Sequence, residues 1–382
     1  MIDIENMSIL VVDDMKSMRL TIRKMLRNLN IGKTLRFAEN GKEGLSILSN
    51  TPCDLAIIDW NMPVMNGTQM MSMIKKDKAL RDIPVIMVTA ENERDIVSEV
   101  AESEIDGYLL KPLTLEALDM KIKTVVDNAN HPDPATIYLR NAREREEAED
   151  YDGAIEQIRL ALIHKPSASR ILRRLGLVHF KIGKPGIGEK CLKKAMSVNS
   201  QDTITRDVLA RFYLKKNEYE RAARIYLEIM SLSTRYFDTA MVLGEKLMVS
   251  GYKPLGLELF KKVMARSGKK LSFQDAIIDI CLNNGEYDYP KNLLTMAVQD
   301  NPSNYDLMHR AGLVFYDTGD FDQALKYFRM VDSHKLNHVE SKLYLAKIYH
   351  MKKKVLKADD YLNQVLRIDP QNTDALALRR EL

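Results

Sequence analysis

Residues 56–67, AIIDWNMPVMNG, place one carboxylate, that of Asp59, directly after an apolar run and directly before residues typical of turns. Five apolar runs of this kind occur in the first 130 residues, at 8–12, 34–38, 54–58, 84–88 and 107–110. After each run, apolar residues recur at helical spacing, over 16–29, 41–48, 68–75, 94–101 and 114–127. Alternating strands and helices predict an α/β fold, a doubly wound five-stranded parallel sheet with helices on both faces.

Polar residues mark the ends of four of the predicted strands. Asp13 and Asp14 follow the first strand, Asp59 the third, Thr89 the fourth and Lys111 the fifth. The carboxyl ends of parallel strands form one edge, where ligands of such sheets bind, so we expect these side chains to converge. Three clustered carboxylates repel one another unless a hard divalent cation such as Mg²⁺ lies between them.

The residue types at this edge suit phosphoryl transfer. A carboxylate held beside Mg²⁺ can attack phosphorus and form an aspartyl phosphate. The metal and the ammonium of Lys111 would neutralise the phosphoryl oxygens, and the hydroxyl of Thr89 would donate a hydrogen bond to one of them. The sequence therefore predicts a magnesium-dependent phosphoacceptor site.

This set of residues, in this order at strand ends, resembles that of response-regulator receiver domains from two-component signalling, and DWNMPVMNG is especially similar to the single-domain chemotaxis regulators. The resemblance covers residues 5–128 and implies a flavodoxin-like fold and a bacterial source. It implies that Asp59 is the phosphoacceptor and that Thr89 and Lys111 assist catalysis. The Mg²⁺ ligands that it implies are Asp13, Asp14, Asp59 and the backbone carbonyl of Asn61.

Three further roles follow from the same resemblance. Tyr108, three residues before the lysine, occupies the position of the aromatic switch residue that turns inward as Thr89 moves toward the phosphate. Asn61 and Glu91 lie two residues after Asp59 and Thr89, where the family tunes the attack of water on the acyl phosphate. This pair is similar to that of the fast-turnover chemotaxis type, which implies a short-lived signal.

Simpler interpretations stay open for single residues. An aspartate at a strand end is often a helix cap, so Asp13 or Asp14 could cap the helix that starts near Met15. Tyr108 could pack half-buried against the sheet, and Trp60 could cover the loop after the third strand. The functional interpretation is favoured because all the polar residues would otherwise meet at one edge by coincidence.

The remainder of the chain is helical and repetitive. Prolines in 131–134 break the preceding helix and indicate a linker. Beyond it, small residues recur every 34 positions, with Ile278 at one step, in the series Ala142, Gly176, Ala210, Gly244, Gly312 and Ala346. A second series at the same step is Ala154, Gly188, Ala222, Gly256, Pro290, Ala324 and Ala358. Large residues lie four positions after the second series, which indicates helix-turn-helix units that must stack to bury a core.

The period and the pattern resemble tetratricopeptide repeats. Seven repeats fit, although the second, fourth and fifth are degenerate, and they begin at about 135, 169, 203, 237, 271, 305 and 339. The predicted domains are a receiver at 1–130, the repeats at 135–372 and a C-terminal capping helix at 373–382. The resemblance implies an all-α superhelical solenoid with a protein or peptide ligand in a concave groove. Candidate groove residues are Arg206, Asn283, His309 and Lys342, each of which could instead be merely solvated.

Composition indicates the setting. Of the 382 residues, 45% are hydrophobic, and no apolar run approaches the roughly 20 residues that a membrane span needs. The N-terminus lacks the basic and apolar regions of a secretory signal, so we expect a soluble, cytoplasmic protein without a membrane partner. Three widely spaced cysteines, Cys53, Cys191 and Cys281, predict buried reduced thiols. Residues 1–130 carry a net charge of −4 and the remainder +8.

These patterns favour a phosphorylation-controlled response regulator. A histidine kinase or phosphotransfer protein would donate a phosphoryl group to Asp59, and the repeats would bind a protein as the output. We expect no enzymatic activity beyond self-phosphorylation and autodephosphorylation, because no Gly-rich phosphate loop, Ser-His-Asp order, HExxH or CxxC follows residue 131. Two alternatives stay open: a nucleic-acid-binding regulator, disfavoured because the basic residues alternate with acidic ones, and a phosphatase or adaptor acting on another signalling protein. The sequence leaves the oligomeric state undetermined.

Overall fold

The computed structural model describes residues 1–90, 105–268 and 270–382. The first part of the chain contains the strands β1 (Ser8–Val12), β2 (Thr34–Ala38), β3 (Leu55–Asp59), β4 (Val85–Thr89) and β5 (Gly107–Leu110). Its described helices are α1 (Lys16–Asn28), α2 (Gly41–Asn50), α3 (Gly67–Lys76) and α4 (Leu115–Asn130). The helix predicted at 94–101 lies outside the described residues.

The five strands form one parallel sheet in the order β2-β1-β3-β4-β5. From β1 the chain adds β2 on one side and then β3, β4 and β5 on the other, so the topological switch point of the sheet lies between β1 and β3. Asp59 pairs with Val88 at the end of β3, and Thr89 pairs with Leu110 at the end of β4. The predicted flavodoxin-like sheet is therefore confirmed, and strand ends meet at the edge where a ligand is expected.

Alternate residues of each strand supply two cores, one on each face of the sheet. On one face, Ile9, Ile57 and Val88 pack with Leu26 of α1 and Ile122 of α4. On the other face, the neighbouring strand residues pack against α2 and α3, in a cluster that includes Leu10, Ile58, Met87, Leu48 and Ile74. Because both faces are covered, the central strands are apolar throughout, and only their ends carry polar groups.

The chain forms two compact units, Met1–Asn217 and Glu218–Leu382. This division lies within the third predicted repeat and not at the predicted linker. In the first unit, α4 ends at Asn130, and Asp133 accepts a hydrogen bond from the Thr136 amide at 3.1 Å, which caps the next helix. The further helices of this unit are α5 (Pro134–Glu147), α6 (Tyr151–His164), α7 (Ser169–Lys181), α8 (Pro185–Val198) and α9 (Thr203–Lys215).

In the residues that the structure describes, the second unit consists of helices of 13 or 14 residues and a shorter last helix of 8 residues. Its helices are α10 (Tyr219–Leu232), α11 (Phe237–Val249), α12 (Lys253–Arg266), α13 (Leu271–Asn283), α14 (Asp288–Asp300), α15 (Tyr305–Asp317), α16 (Phe321–His334), α17 (Val339–Met351), α18 (Val355–Ile368) and α19 (Thr373–Arg380). The first helix of each repeat begins within one residue of its predicted start. The pattern is that of a solenoid of helical hairpins.

The small residues of the two series allow the paired helices to approach closely. A Cβ added to Gly176 of α7 would lie 3.0 Å from the carbonyl oxygen of Gly188 on α8. In the second unit, a Cβ on Gly312 would lie 2.6 Å from the ring of Phe328. The large residues four positions after the second series are all completely buried: Ile158, Leu192, Tyr226, Phe260, Leu294, Phe328 and Leu362. The 34-residue pattern thus encodes the contact between paired helices.

Two further expectations concern thiols and membranes. All three cysteines are free, and Cys53 and Cys281 are buried as predicted. The prediction of burial is wrong for Cys191, which is half-buried because it lies at the margin of its core on α8. In the described part of the chain, each helix is too short or insufficiently apolar to span a lipid bilayer.

Candidate functional site

Backbone hydrogen bonds continue beyond the strands and position the residues that follow them. The Asp13 amide donates to the Ala38 carbonyl at 3.2 Å, and the Lys111 amide donates to the Thr89 carbonyl at 2.7 Å. The Trp60 amide donates to the Val88 carbonyl at 2.8 Å. The strand ends are therefore held in register, and their polar side chains project from one rigid edge.

Three carboxylates converge at this edge. One oxygen from each of Asp13, Asp14 and Asp59 lies within 4.8 Å of the others. Asp13 is 1% exposed and Asp59 6% exposed, whereas Asp14 is exposed to solvent. The predicted convergence therefore occurs, with two buried members and one at the rim.

Lys111 contacts both buried carboxylates. Its ammonium lies 2.8 Å from Oδ1 of Asp59 and 3.0 Å from Oδ2 of Asp13. Burial raises the pKa of the Asp59 carboxyl above its ordinary value, a shift that Lys111 opposes and the Asp13 charge supports. Burial alone would lower the pKa of Lys111, but its hydrogen bonds to the two carboxylates outweigh burial and raise it. The lysine thus stays cationic where a phosphoryl group would carry its negative charge.

The donor set fits a hard divalent cation. Three carboxylate groups within 4.8 Å offer the oxygen ligands that Mg²⁺ prefers, and the exposed Asp14 leaves the site open to water. Lys111 provides only a single positive charge to two buried carboxylates. A further cation would therefore relieve the remaining repulsion between the acidic side chains.

Asp13 and Asp14 do not cap the first helix. The N-cap of α1 is Met15, and no side chain caps this helix. Oδ1 of Asp13 instead accepts a hydrogen bond from the Met15 amide at 2.8 Å, in the turn before the helix. This bond orients Asp13 toward the carboxylate cluster, so the simple capping interpretation is wrong.

Thr89 and Tyr108 lie on adjacent strands, β4 and β5. Thr89 is 1% exposed and ends its strand beside the site. Tyr108 is half-buried, packs against the core on the α3 face of the sheet, and has the ammonium of Lys121 5.5 Å from its ring centroid. Its side chain is therefore partly packed in the core and partly accessible to solvent.

The loop after β3 folds back on the site. Asn61 is exposed, and Trp60 is 8% exposed and packs in the core, as expected for a residue that covers the loop. The Gly67 amide donates to the Trp60 carbonyl at 2.9 Å, and Val64 adopts a φ of +66°, a region that β-branched residues rarely enter. The predicted dephosphorylation residue Glu91 lies outside the described residues.

Sequence reasoning missed Arg19, a basic residue that supports the site. Arg19 is 9% exposed, and its guanidinium donates to the carbonyls of Asp13 and Asp14 at 2.8 and 3.1 Å and pairs with Glu39. A signal was present, because Arg19 shares helical spacing with Ile22, which places a charge on the buried stripe of α1.

The candidate groove residues of the repeats have different environments. Arg206 and Lys342 are 8% and 3% exposed, so the prediction that they face a ligand is wrong. Lys342 pairs with Asp332 and donates to Gln364 at 2.7 Å because a buried ammonium needs such partners. His309 is half-buried with Nδ1 2.8 Å from the Ser341 hydroxyl, and Asn283 is exposed.

Comparisons with known proteins match a receiver in the first part of the chain and repeats in the remainder. The family description "response regulator receiver domain" matches residues 9–123, and "tetratricopeptide repeat" matches residues 139–186 and 297–373. The chain is 38% identical over 124 residues to the chemotaxis protein CheY of Pseudomonas aeruginosa, a match covering 32% of this chain and 99% of the relative. It is 36% identical over 123 residues to the chemotaxis protein CheY-3 of Vibrio cholerae, covering 32% and 94%.

Two solved structures are each similar to part of this chain. The chemotaxis response regulator CheY4 of Vibrio cholerae is 27% identical, with a TM-score of 0.30, over 31% of this chain and 98% of that chain. YrrB, described as a TPR protein with an unusual peptide-binding site, is 20% identical, with a TM-score of 0.33, over 50% of this chain and 99% of that chain.

Proposed function

Because the chain belongs to the response-regulator receiver family and carries tetratricopeptide repeats in its C-terminal part, we propose that it is a phosphorylation-controlled response regulator whose repeats bind another protein. The observation that carries this proposal is the position of Lys111, 2.8 Å from Asp59, beside carboxylates within 4.8 Å of one another. This arrangement combines a nucleophile, a metal-binding donor set and a fixed cation in one cluster.

Asp59 is the proposed phosphoacceptor. A carboxylate oxygen attacks the phosphorus of a phosphohistidine or a small acyl phosphate, and the leaving group departs with the electron pair of the broken bond. Lys111 would neutralise the negative charge on the phosphoryl oxygens, and the hydroxyl of Thr89, at the end of the strand next to β3, would donate a hydrogen bond to one of them. Asp13, Asp14, Asp59 and the carbonyl of Asn61 would hold Mg²⁺, which supplies further charge neutralisation when bound.

The phosphoryl group would act through the edge strands. Thr89 and Tyr108 lie on adjacent strands, and α4 follows β5 directly, so a change at Thr89 reaches α4 through short connections. The phosphoryl group would bias an existing two-state equilibrium of these elements. Asn61 and Glu91 would set the lifetime of the acyl phosphate by controlling access of water.

The output would be protein binding by the repeats. A histidine kinase or phosphotransfer protein would supply the phosphoryl group, and the chain itself would catalyse only its own phosphorylation and dephosphorylation. Such a cycle would operate in the cytoplasm, where these donors carry their phosphohistidine. Helix α4 leads into the first repeat helix, α5, through only the residues 131–133, which supports α4 as the coupling element.

Intact-mass spectrometry after incubation with Mg²⁺ and acetyl phosphate tests the phosphoacceptor. We expect wild type to gain one phosphoryl group, Asp59→Asn to gain none, and Asp127→Asn, which removes an exposed carboxylate of α4, to behave as wild type. Quenching of Trp60 fluorescence by Mg²⁺ alone provides a separate measure of metal binding. Phosphorylation of Asp59→Asn at the wild-type level would contradict the assignment.

Affinity capture tests the output. Full-length protein with and without beryllofluoride, a phosphoryl analogue, is compared with Asp59→Asn treated in the same way. We expect beryllofluoride to change the set of captured proteins for wild type only. Identical captures in both states would show that phosphorylation does not control binding.

A further inference from the structure

The compact unit Met1–Asn217 contains a groove of about 1060 Å³ that is separate from the carboxylate site. Its walls are the first helices of three repeats, α5, α7 and α9, and the edge of the sheet where β4 and β5 begin. At that edge, Asp106 accepts a hydrogen bond from the Val85 amide at 2.9 Å, and Asp59 lies at the opposite end of the strands. We call this cavity the basic groove.

The basic groove has a large excess of positive charge. Eleven Lys and Arg but only three Asp and Glu are among its described lining residues. Glu146 lies 2.9 Å from Arg174 and 3.2 Å from Lys181, and Asp82 lies 4.0 and 3.6 Å from Arg140 and Arg143. Four more lining cations each pair with one carboxylate: Lys75 with Asp106, Arg81 with Glu147, Arg173 with Asp202 and Arg211 with Asp207. The eleven cations still outnumber these six carboxylates, which leaves a positive field that attracts an anionic ligand.

The floor of the basic groove is apolar. Leu177 is 40% exposed there, and Phe180 and Phe212 stack with ring centroids 4.4 Å apart. Binding of a ligand that removes this exposed apolar surface from water is favoured by the hydrophobic effect. A ligand that satisfies both walls and floor therefore needs negative charges and apolar anchors together.

We infer that the basic groove binds an acidic amphipathic peptide segment of a partner protein, with its carboxylates on the Arg and Lys walls and its apolar side chains on the Leu177, Phe180 and Phe212 floor. The volume is that of a site for a short segment, at the upper end of the roughly 300–1,000 Å³ of ligand pockets. This partner chemistry deepens the proposed protein-binding output but does not require phosphorylation of Asp59.

A nucleic acid fits the basic groove less well. A duplex needs a long basic surface, and in this groove leucine and phenylalanine lie among the cations. A single strand stacks its bases on open aromatic faces, but the Phe212 ring is stacked on Phe180 and has the ammonium of Lys216 4.6 Å from its centroid. Apolar side chains can also pack against ring edges and against Leu177, because hydrophobic burial has no directional requirement. The apolar floor thus favours the peptide.

Fluorescence anisotropy with full-length protein tests the inference. The probe is a fluorescein-labelled decapeptide that alternates glutamate with leucine, and the comparison probes alternate glutamate with serine or lysine with leucine. A labelled oligothymidylate of similar length represents nucleic acid. The groove variant is Arg170→Glu with Lys215→Glu, and the matched control is Lys190→Glu with Lys194→Glu, two exposed residues of α8 outside the groove.

We expect the glutamate-leucine peptide to bind wild type more tightly than every comparison probe. The groove variant should lose roughly tenfold in affinity, the control variant should change by less than about twofold, and binding should weaken at high salt. Leu177→Ser should reduce the advantage of the leucine peptide over the serine peptide.

Three results would overturn the inference: no binding of the glutamate-leucine peptide, equal losses in the groove and control variants, or tighter binding of oligothymidylate, which would assign the groove to nucleic acid. Phosphorylation by acetyl phosphate is measured on the same preparations. Failure of peptide binding with normal phosphorylation at Asp59 refutes the basic groove alone, and the reverse result refutes the phosphoacceptor alone.

Discussion

Substitution of Gly67 by alanine tests how tightly the loop after β3 packs behind the phosphoacceptor. A Cβ at this position would lie 3.1 Å from the carbonyl carbon of Asp59, still closer to its oxygen, and 2.8 Å from Cε of Met87. Ordinary contacts of a Cβ begin near 3.4 Å. The flexible Met87 side chain can move aside, but the Asp59 carbonyl belongs to the central sheet, so the loop must shift by about 1 Å.

The cost follows from this displacement. Overpacking against a rigid neighbour costs about 1–3 kcal/mol, and weakening the hydrogen bond from the Gly67 amide to the Trp60 carbonyl costs about 1 kcal/mol more. The higher helix propensity of alanine returns up to about 1 kcal/mol, because Gly67 begins α3. We therefore expect a net loss of about 1–3 kcal/mol in the free energy of unfolding of the receiver.

Urea denaturation followed by tryptophan fluorescence measures this loss locally. Trp60 is the single tryptophan and is buried beside the site, so its emission reports on the receiver and not on the repeats. With an m-value of about 1–2 kcal/mol/M, the midpoint should fall by roughly 0.5–3 M urea. Gly186→Ala is the matched control, because it also lies in the first turn of a helix but has no atom within 4 Å of the added Cβ.

The control should leave the Trp60 midpoint unchanged or slightly raised, since only helix propensity changes there. A midpoint for Gly67→Ala equal to those of wild type and of Gly186→Ala would refute the close packing of the loop on the Asp59 carbonyl.

Three other predictions concern the repeats. Phe260→Ala should destabilise its unit by about 3–5 kcal/mol in denaturation followed by circular dichroism, because the ring is fully buried, whereas Leu356→Ala, at a residue 88% exposed, should change little. Burial raises the pKa of Cys281 to about 12, so iodoacetamide at mildly alkaline pH should modify the half-buried Cys191 first, as peptide mapping would show. Despite partial burial, hydrogen bonds and an ion pair lower the pKa of Asp133 to about 2. Its folded pKa lies below the ordinary 3.8, so the stability difference between wild type and Asp133→Asn should be full above that value and shrink as the pH falls toward about 2 in acid denaturation.

Much of the fold and of the site is predictable from sequence because both depend on patterns that extend over only a few residues. The strands β1, β2 and β5 have their predicted bounds, since short apolar runs and turn residues limit them sharply. For β3 and β4 the prediction is one residue early, so Asp59 and Thr89 are the last strand residues and not the first loop residues. Their proposed roles rest on residue type and on the common edge of parallel strands.

Other features are not readable from local pattern. Arg206 and Lys342 are polar residues of first helices, and sequence spacing could not show that partners such as Asp332 bury the lysine. Gly67 is needed because a Cβ there would collide with the Asp59 carbonyl, which belongs to another element. Such contacts join elements whose relative positions follow from packing.

Local sequence pattern specifies the order of strands and helices, the 34-residue register and the polar residues at the strand ends. These features are consequences of periodicity, which acts over a few residues along the chain. Packing of the elements brings Lys111 between Asp13 and Asp59, places Arg19 beside the site, and gathers cations of the receiver and of three repeat helices around one apolar floor. Charge excess and burial depend on distances between residues remote in sequence, and those distances arise when the elements pack.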